Sequence, residues 1–283
     1  MPLRCPRPAL AATLLALAAP AAPADTATFR PVADGTLIQP NDGGQYSLGA
    51  AYNIYCGRVG TNGGGTFRRA LVRFDLTSIP AGSTVLSVSL RTYMSQTNSG
   101  AQDCRLHRMQ EAWGEGASFA FGGGGTSPEA NDVTWTHRFW PSATWSVPGG
   151  VYAPAASAVR SANAIGSYTW ATTPGLVADV QAWVSAPATN FGWVIVGNEA
   201  VLESAKRFES RESADITRHP TLVVTYTPGN APPGDLDGNG RIDGADLGLL
   251  LNAWGPGGGP ADLNGDGVVN GADLGILLSN WNP

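Results

Sequence analysis

Asp235-Leu236-Asp237-Gly238-Asn239-Gly240-Arg241-Ile242-Asp243-Gly244-Ala245-Asp246 is answered 27 residues later by Asp262-Leu263-Asn264-Gly265-Asp266-Gly267-Val268-Val269-Asn270-Gly271-Ala272-Asp273. Oxygen-bearing side chains stand at positions 1, 3, 5, 9 and 12 of both copies, and glycine stands at position 6. That is the donor order of a twelve-residue calcium loop, in which a hard cation takes carboxylate, amide and carbonyl oxygens. Position 7 contributes a backbone carbonyl, which frees its side chain to be Arg241 in one copy and Val268 in the other. Glycine at position 6 lets the backbone reverse around the ion. Two ions are expected. The first loop offers four carboxylates (Asp235, Asp237, Asp243, Asp246) and the second three (Asp262, Asp266, Asp273), so ligand charge favours the first as the tighter site.

A short apolar helix is predicted after each loop, over 244–254 and 271–281. Pro232-Pro233-Gly234 precedes the first loop and Pro256-Gly257-Gly258-Gly259-Pro260 the second, so no helix leads into either. The leucines and tryptophans Leu247, Leu250, Leu251 and Trp254 are expected to bury against Leu274, Leu277, Leu278 and Trp281. Helices this short are not stable alone. A duplicated loop-plus-following-helix unit of this kind resembles the type I dockerin module. The resemblance implies a non-catalytic docking module that binds calcium and pairs with a cohesin, commonly on secreted polysaccharide-degrading systems. This chain departs from the usual pattern at loop positions 10 and 11, where it has Gly244-Ala245 and Gly271-Ala272. It departs again at Leu251-Asn252 and Leu278-Ser279. The metal ligands therefore carry over residue by residue, and the identity of the partner does not.

The rest of the chain has a different character. Thr227 to Gly234 is a proline-stiffened linker (assigned to 228–234). From Ala231 onward there are seven acids and one base, Arg241, so most of the net charge of -5 is calcium ligand. The larger domain is near neutral, which gives no nucleic-acid surface. At the other end, Arg4 and Arg7 precede an apolar run from Ala9 to Ala19, and Ala22-Pro23-Ala24 offers small residues for cleavage. Residues 1–24 read as a secretory signal peptide. The run is too short and alanine-rich to span a membrane comfortably, and an extracellular or cell-surface protein is expected. Export removes Cys5 and leaves Cys56 and Cys104, an even pair for which a disulfide is expected in an oxidising compartment; two buried thiols are the alternative.

Between Asp25 and Thr227 the pattern is that of strands. In Arg68–Leu76 the side chains Ala70, Val72, Phe74 and Leu76 fall on one face and Leu71, Arg73 and Asp75 on the other. In Thr84–Leu90 the same alternation places Leu86, Val88 and Leu90 inward. Further strands are predicted at 26–31, 36–39, 52–59, 103–110, 132–137, 166–171, 191–197, 205–211 and 219–227, separated by Gly, Pro, Asn and Ser clusters. Ala178–Val184 is the one helical candidate. Several segments, taken in order, look like the DNRLRE-type secreted β-sandwich: Ala33–Ile38, Leu71–Pro80, Asp132–Trp135 with Trp145–Gly150, Val180–Trp183, Asn190–Trp193, Lys206–Glu212 and His219–Tyr226. This resemblance implies a jelly-roll-like sandwich, with some relatives resembling carbohydrate-binding modules. The expected fold is mainly β: a jelly-roll-like antiparallel β-sandwich over 25–227, followed by a small all-α calcium-binding module over 235–283.

No catalytic constellation stands out. His107, His137 and His219 lack metal spacing, and no nucleophile elbow or phosphate loop is present. Carboxylate pairs for glycoside hydrolysis are set by distance in space; Glu111, Glu115, Glu129 and Asp132, in the aromatic-rich region, are the candidates. Exposed tryptophans suit sugar rings, and Trp113 and Trp140 are the candidates for glycan contact, while Trp135, Trp170, Trp183 and Trp193 read as core. In the strand 205–211, Phe208 points one way, and Arg207, Glu209 and Arg211 share the other face. The arginine pair could grip an anionic polysaccharide bidentately; a solvated salt-bridge row is the alternative. The expected role is accessory: the calcium module docks onto a cohesin-like partner or the cell surface, and the sandwich contacts polysaccharide or matrix. A purely structural surface protein, or a hydrolase or lyase with a site assembled only in space, are the competing readings.

Overall fold

Alternating side chains and Gly/Pro breaks produce a long series of antiparallel strands. A computed structural model describes residues 23–229 and 232–283. The expected signal segment, except for its last two residues, lies outside the described residues, as do Asn230 and Ala231 of the linker. The strands and helices in order are β1 Asp25–Phe29, β2 Pro31–Ile38, β3 Asn53–Arg58, β4 Phe67–Phe74, β5 Thr84–Thr97, β6 Gln102–Arg108, β7 His137–Phe139, β8 Ala143–Thr144, β9 Ala158–Ala162, β10 Gly166–Trp170, α1 Pro174–Ser185, β11 Trp193–Val196, β12 Lys206–Glu209 and β13 Thr221–Thr227. The C-terminal module adds α2 Gly244–Asn252, β14 Gly255–Pro256, β15 Val268–Val269 and α3 Gly271–Ser279.

One antiparallel sheet in the order β1-β13-β5-β12-β3-β4-β11-β6-β9, with β10 on β5 and β2 on β4, forms the large domain. It curls so that its two ends share one core. Strand β3 makes the corner: Asn53–Cys56 pairs with β12, and Gly57–Arg58 pairs with β4. Gly57 has φ +106, and a Cβ there would lie 3.0 Å from the Ala205 backbone, so only glycine fits the turn. Val88, Leu90 and Met94 of β5 and Leu222 and Val224 of β13 meet Val72 and Phe74 of β4 and Trp193 and Ile195 of β11 in this core. Burying a side chain of this size contributes about 1.5–3 kcal/mol.

Helix α1 starts at Pro174, earlier than expected, because Thr173 caps it by accepting the Leu176 amide at 3.1 Å. Its Leu176, Val180 and Trp183 close one side of the core. Leu71, expected on the outer face of β4, is fully buried, because the chain from Met109 to Val151 folds over that face and brings Val133 and Trp145 onto it. Leu86, expected inward, is 48% exposed. Thr225 pairs with Ser87 and Tyr226 with Val85, so Leu86 is the extra residue of a bulge and turns outward. Residues 132–136 are irregular chain with a bend at 135–136 rather than strand, and the polar edge strand β9 carries no alternation that would announce it.

The expected Cys56–Cys104 bridge is corrected. Cys56 on β3 and Cys104 on β6 approach across the core, but their sulfurs stop at contact, 3.8 Å apart, as buried free thiols. A disulfide needs about 2.05 Å. The Cys104 contact and burial push the Cys56 thiol well above its usual range, which makes it a poor nucleophile.

In the C-terminal module the core is Ile242, Leu250, Ala261, Val269 and Leu277, flanked by Leu236, Leu247, Leu263 and Leu274. The two repeats are related by one recurring contact. Val269 pairs with Gly255, which follows α2, and the Ile242 carbonyl accepts the amide of Asn282, which follows α3, at 3.0 Å. The expected burial of Leu251, Trp254, Leu278 and Trp281 is corrected: they are exposed by 51, 49, 51 and 39%. A nine-residue helix presents one face to so small a core; Leu251 and Leu278 lie on the other face, and Trp254 and Trp281 follow the helix C-caps.

Candidate functional site

Each calcium loop is closed by the carboxylate at its last position. Asp246 and Asp273 are fully buried at the third position of their helices. Asp246 Oδ1 accepts the amides of Leu236 (2.7 Å) and Asp237 (3.2 Å), and Oδ2 accepts that of Asp243 (2.9 Å). Asp273 makes the same three bonds to Leu263, Asn264 and Asn270 at 2.8, 3.1 and 2.8 Å. Burial works against the charge of Asp246, but the three amides outweigh it and hold the carboxyl below its ordinary value. For Asp273 the Asn270 amide leads and the shift has the same direction. The position-9 residues Asp243 and Asn270 are the helix N-caps, bonded to the amides of Ala245 and Ala272.

In loop 1, oxygens of Asp235, Asp237 and Asp246 all lie within 4.8 Å of one another. Asp235 Oδ2 accepts the Gly240 amide at 2.8 Å, and its buried Oδ1 has no hydrogen-bond partner. Gly240 and Gly267 at position 6 have φ +81 and +86, the left-handed turn the loop requires. Asn239 bonds Asp237 and the Arg241 amide. In loop 2, Asp262 accepts the amides of Gly265, Asp266 and Gly267, and Asn264 bonds Asp266. Asn270 Nδ2 donates to the Val268 carbonyl at 3.0 Å, the position-7 oxygen. The convergent carboxylates, the unpartnered Asp235 oxygen and the all-oxygen donor set fit calcium in loop 1, and loop 2 repeats the backbone frame.

On the sandwich the expected glycan contacts separate. Trp113 is 1% exposed, its Nε1 donating to the Phe191 carbonyl at 2.8 Å; it is core, part of the Met109–Val151 segment and buried with Leu71, Val133 and Trp145. Trp140 is half-buried and meets His137 edge-to-face at 4.6 Å. Arg207 and Arg211 do not form a pair. Strand β12 ends at Glu209, which is itself buried; the next residue, Ser210, donates its amide to the Tyr52 carbonyl at 3.1 Å and its hydroxyl to the Ala51 carbonyl at 2.7 Å. Arg207 turns to Ser95 Oγ at 3.0 Å, whereas Arg211 contacts Glu115 at 3.0 Å and Glu212 at 2.6 Å.

Arg207 lines a cavity of about 290 Å³ with Tyr55, Arg68, Gln96 and the Gly122–Gly124 run. Arg68 donates to the Gly123 carbonyl at 2.7 Å, and burial pulls its guanidinium down to about 10, still cationic at neutral pH. Beside the glycine run, Tyr52, Phe119 and Phe121 are exposed by 48, 41 and 84% and meet edge-to-face at 5.0–6.4 Å. Sequence reasoning missed this trio; the signal was Phe119-Ala120-Phe121 standing directly before the glycines.

Of the carboxylates weighed for hydrolysis, Glu129 is exposed and the other three are engaged separately. Asp132 is buried and accepts the Glu129 and Ser118 amides, at 2.6 and 3.3 Å. Glu111 accepts from Ser146, and Glu115 belongs with Arg211.

Residues 233–282 match the dockerin type I domain. The C-terminal module is therefore a dockerin domain, a class that binds calcium and supports calcium-dependent assembly with cohesins. No curated protein matches the chain. Among the described residues, no helix is long and apolar enough to cross a membrane.

Proposed function

We propose that this chain is an extracellular, non-catalytic accessory protein whose dockerin attaches a polysaccharide- or matrix-binding sandwich to a cohesin-bearing partner. Two calcium ions would be held by Asp235, Asp237, Asn239, Asp243, Asp246 and the Arg241 carbonyl, and by Asp262, Asn264, Asp266, Asn270, Asp273 and the Val268 carbonyl. Binding energy then adds to the folding energy of a module with a small core. The exposed Leu251 and Trp254, at and just past the end of α2, and Leu278 and Trp281, at and just past the end of α3, give the partner an apolar surface in each repeat.

The observation that carries the glycan reading is the exposed Tyr52–Phe119–Phe121 group beside the cavity of Arg68 and Arg207. Aromatic faces suit sugar rings, and two guanidinium groups favour an acidic polysaccharide. Affinity electrophoresis of the full chain against neutral and uronate-rich polysaccharides tests it. Retardation by the acidic polymers, lost in Phe121→Ala and Arg207→Ala, is the expected result. Equal migration in every gel would leave a purely structural sandwich, and release of reducing ends would make the chain an enzyme.

A further inference from the structure

A second carboxylate cluster lies in the sandwich, assembled from three distant parts of the chain. Asp34 on β2, Glu115 in the segment after β6 and Glu212 after β12 each place an oxygen within 4.8 Å of the others. Asp34 is fully buried. Its Oδ2 accepts the Arg211 amide at 2.7 Å, and its amide donates to Glu115 Oε1 at 2.8 Å. Asp34 Oδ1 and Glu212 Oε2 are enclosed and take no hydrogen bond from the protein. A buried carboxylate oxygen in that state is costly.

The charges do not balance. Three carboxylates face one guanidinium in contact, Arg211, whose Nε reaches both Glu115 and Glu212. Arg73 acts on Glu115 at longer range, with its guanidinium 5.6 Å from the Trp113 ring. Burial, with the Glu212 charge next, pushes Asp34 well above its ordinary value, and burial raises Glu115 as well.

We propose that Asp34, Glu115 and Glu212 form a calcium site of the sandwich, separate from the dockerin loops. The donors are all oxygen, with no histidine or cysteine, which selects a hard cation. Three carboxylates able to bind through one or both oxygens suit the six to eight ligands of calcium better than the strict octahedron of magnesium. A divalent ion offsets the charge that Arg211 leaves over and satisfies the two enclosed oxygens. It ties β2, the segment that covers β4 and the end of β12 at one point.

The test uses the full chain with both dockerin loops disabled by Asp235→Ala, Asp246→Ala, Asp262→Ala and Asp273→Ala. Calcium is counted by equilibrium dialysis, and sandwich melting is followed by tryptophan fluorescence. One ion per chain is expected, with a rise in melting temperature of roughly 5–10 °C at calcium a hundredfold above Kd. Adding Glu212→Gln should remove both ion and shift, and Asp34→Asn should do the same while keeping an oxygen for the Arg211 amide. No calcium bound by the loop-disabled chain overturns the proposal, as does an ion retained by a folded Glu212→Gln variant. If Asp34→Asn fails to fold, the Glu212→Gln result decides.

Discussion

The carboxylates of dockerin loop 1 and those around Asp34 make a similar chemical surface by opposite routes. Asp235, Asp237 and Asp246 fall within one twelve-residue loop, brought together by a left-handed glycine and a helix N-terminus. Asp34, Glu115 and Glu212 lie on three segments that meet only when the sheet has curled. The local cluster can form around its ion as the ion arrives. The assembled one exists only in a folded domain, where an ion would fasten what is already in place. Calcium should therefore decide whether the dockerin folds, and should only shift the melting of the sandwich.

The largest effect should come from the local cluster. Asp246→Ala with Asp273→Ala removes three amide bonds from each loop. In the full chain it should abolish the calcium-induced gain in helical circular dichroism and all cohesin binding, while the sandwich melts as before. Calcium-dependent helix that survives both substitutions would break the distinction between the clusters.

Next comes Trp113→Ala, two residues before Glu115, which should lower sandwich stability by about 3–5 kcal/mol in urea denaturation and leave dockerin calcium affinity untouched. A stability change within about 0.5 kcal/mol would mean that this side chain is not core.

Arg211→Met probes the assembled cluster directly. Losing the guanidinium should destabilise the sandwich by about 1–3 kcal/mol in chelator, discounted for a side chain that is partly exposed. The loss should shrink in calcium. Equal losses in both conditions would count against an ion at Asp34.

The smallest thermodynamic effect is expected at Phe121, which is 84% exposed. Phe121→Ala should move stability by no more than about 0.5 kcal/mol, yet weaken retention by an acidic polysaccharide. Retention unchanged by this variant would remove the aromatic trio from the binding surface.

The same contrast explains what could be read from the sequence. The dockerin repeats were legible because their glycines, N-caps and following helices are fixed by local spacing. The strands were legible where alternation was unbroken, as from Ala70 to Phe74. Leu86 misled because a bulge depends on the partner strand β13, which its own neighbours do not encode. Trp113 misled because it sits in a long irregular segment whose packing onto β2, β4 and β11 no local pattern encodes. In the dockerin, the apolar side chains of α2 and α3 outnumber the places in their small core, so Leu251 and Leu278 stay outside. The Asp34 cluster needed contacts across 81 residues, such as the Asp34 amide on Glu115.

Lys206 is the only lysine in the sequence. It is fully buried on β12, and its ammonium donates to Thr97 Oγ1, Ser99 O, Ser99 Oγ and Gly100 O at 2.6–3.1 Å. Burial lowers its pKa, but the four acceptors enclose every proton it carries. The folded chain thus offers acylating reagents and aldehyde fixatives no free side-chain amine. Acylation of the folded chain, read by peptide mass spectrometry, should therefore leave Lys206 unmodified until the sandwich is denatured.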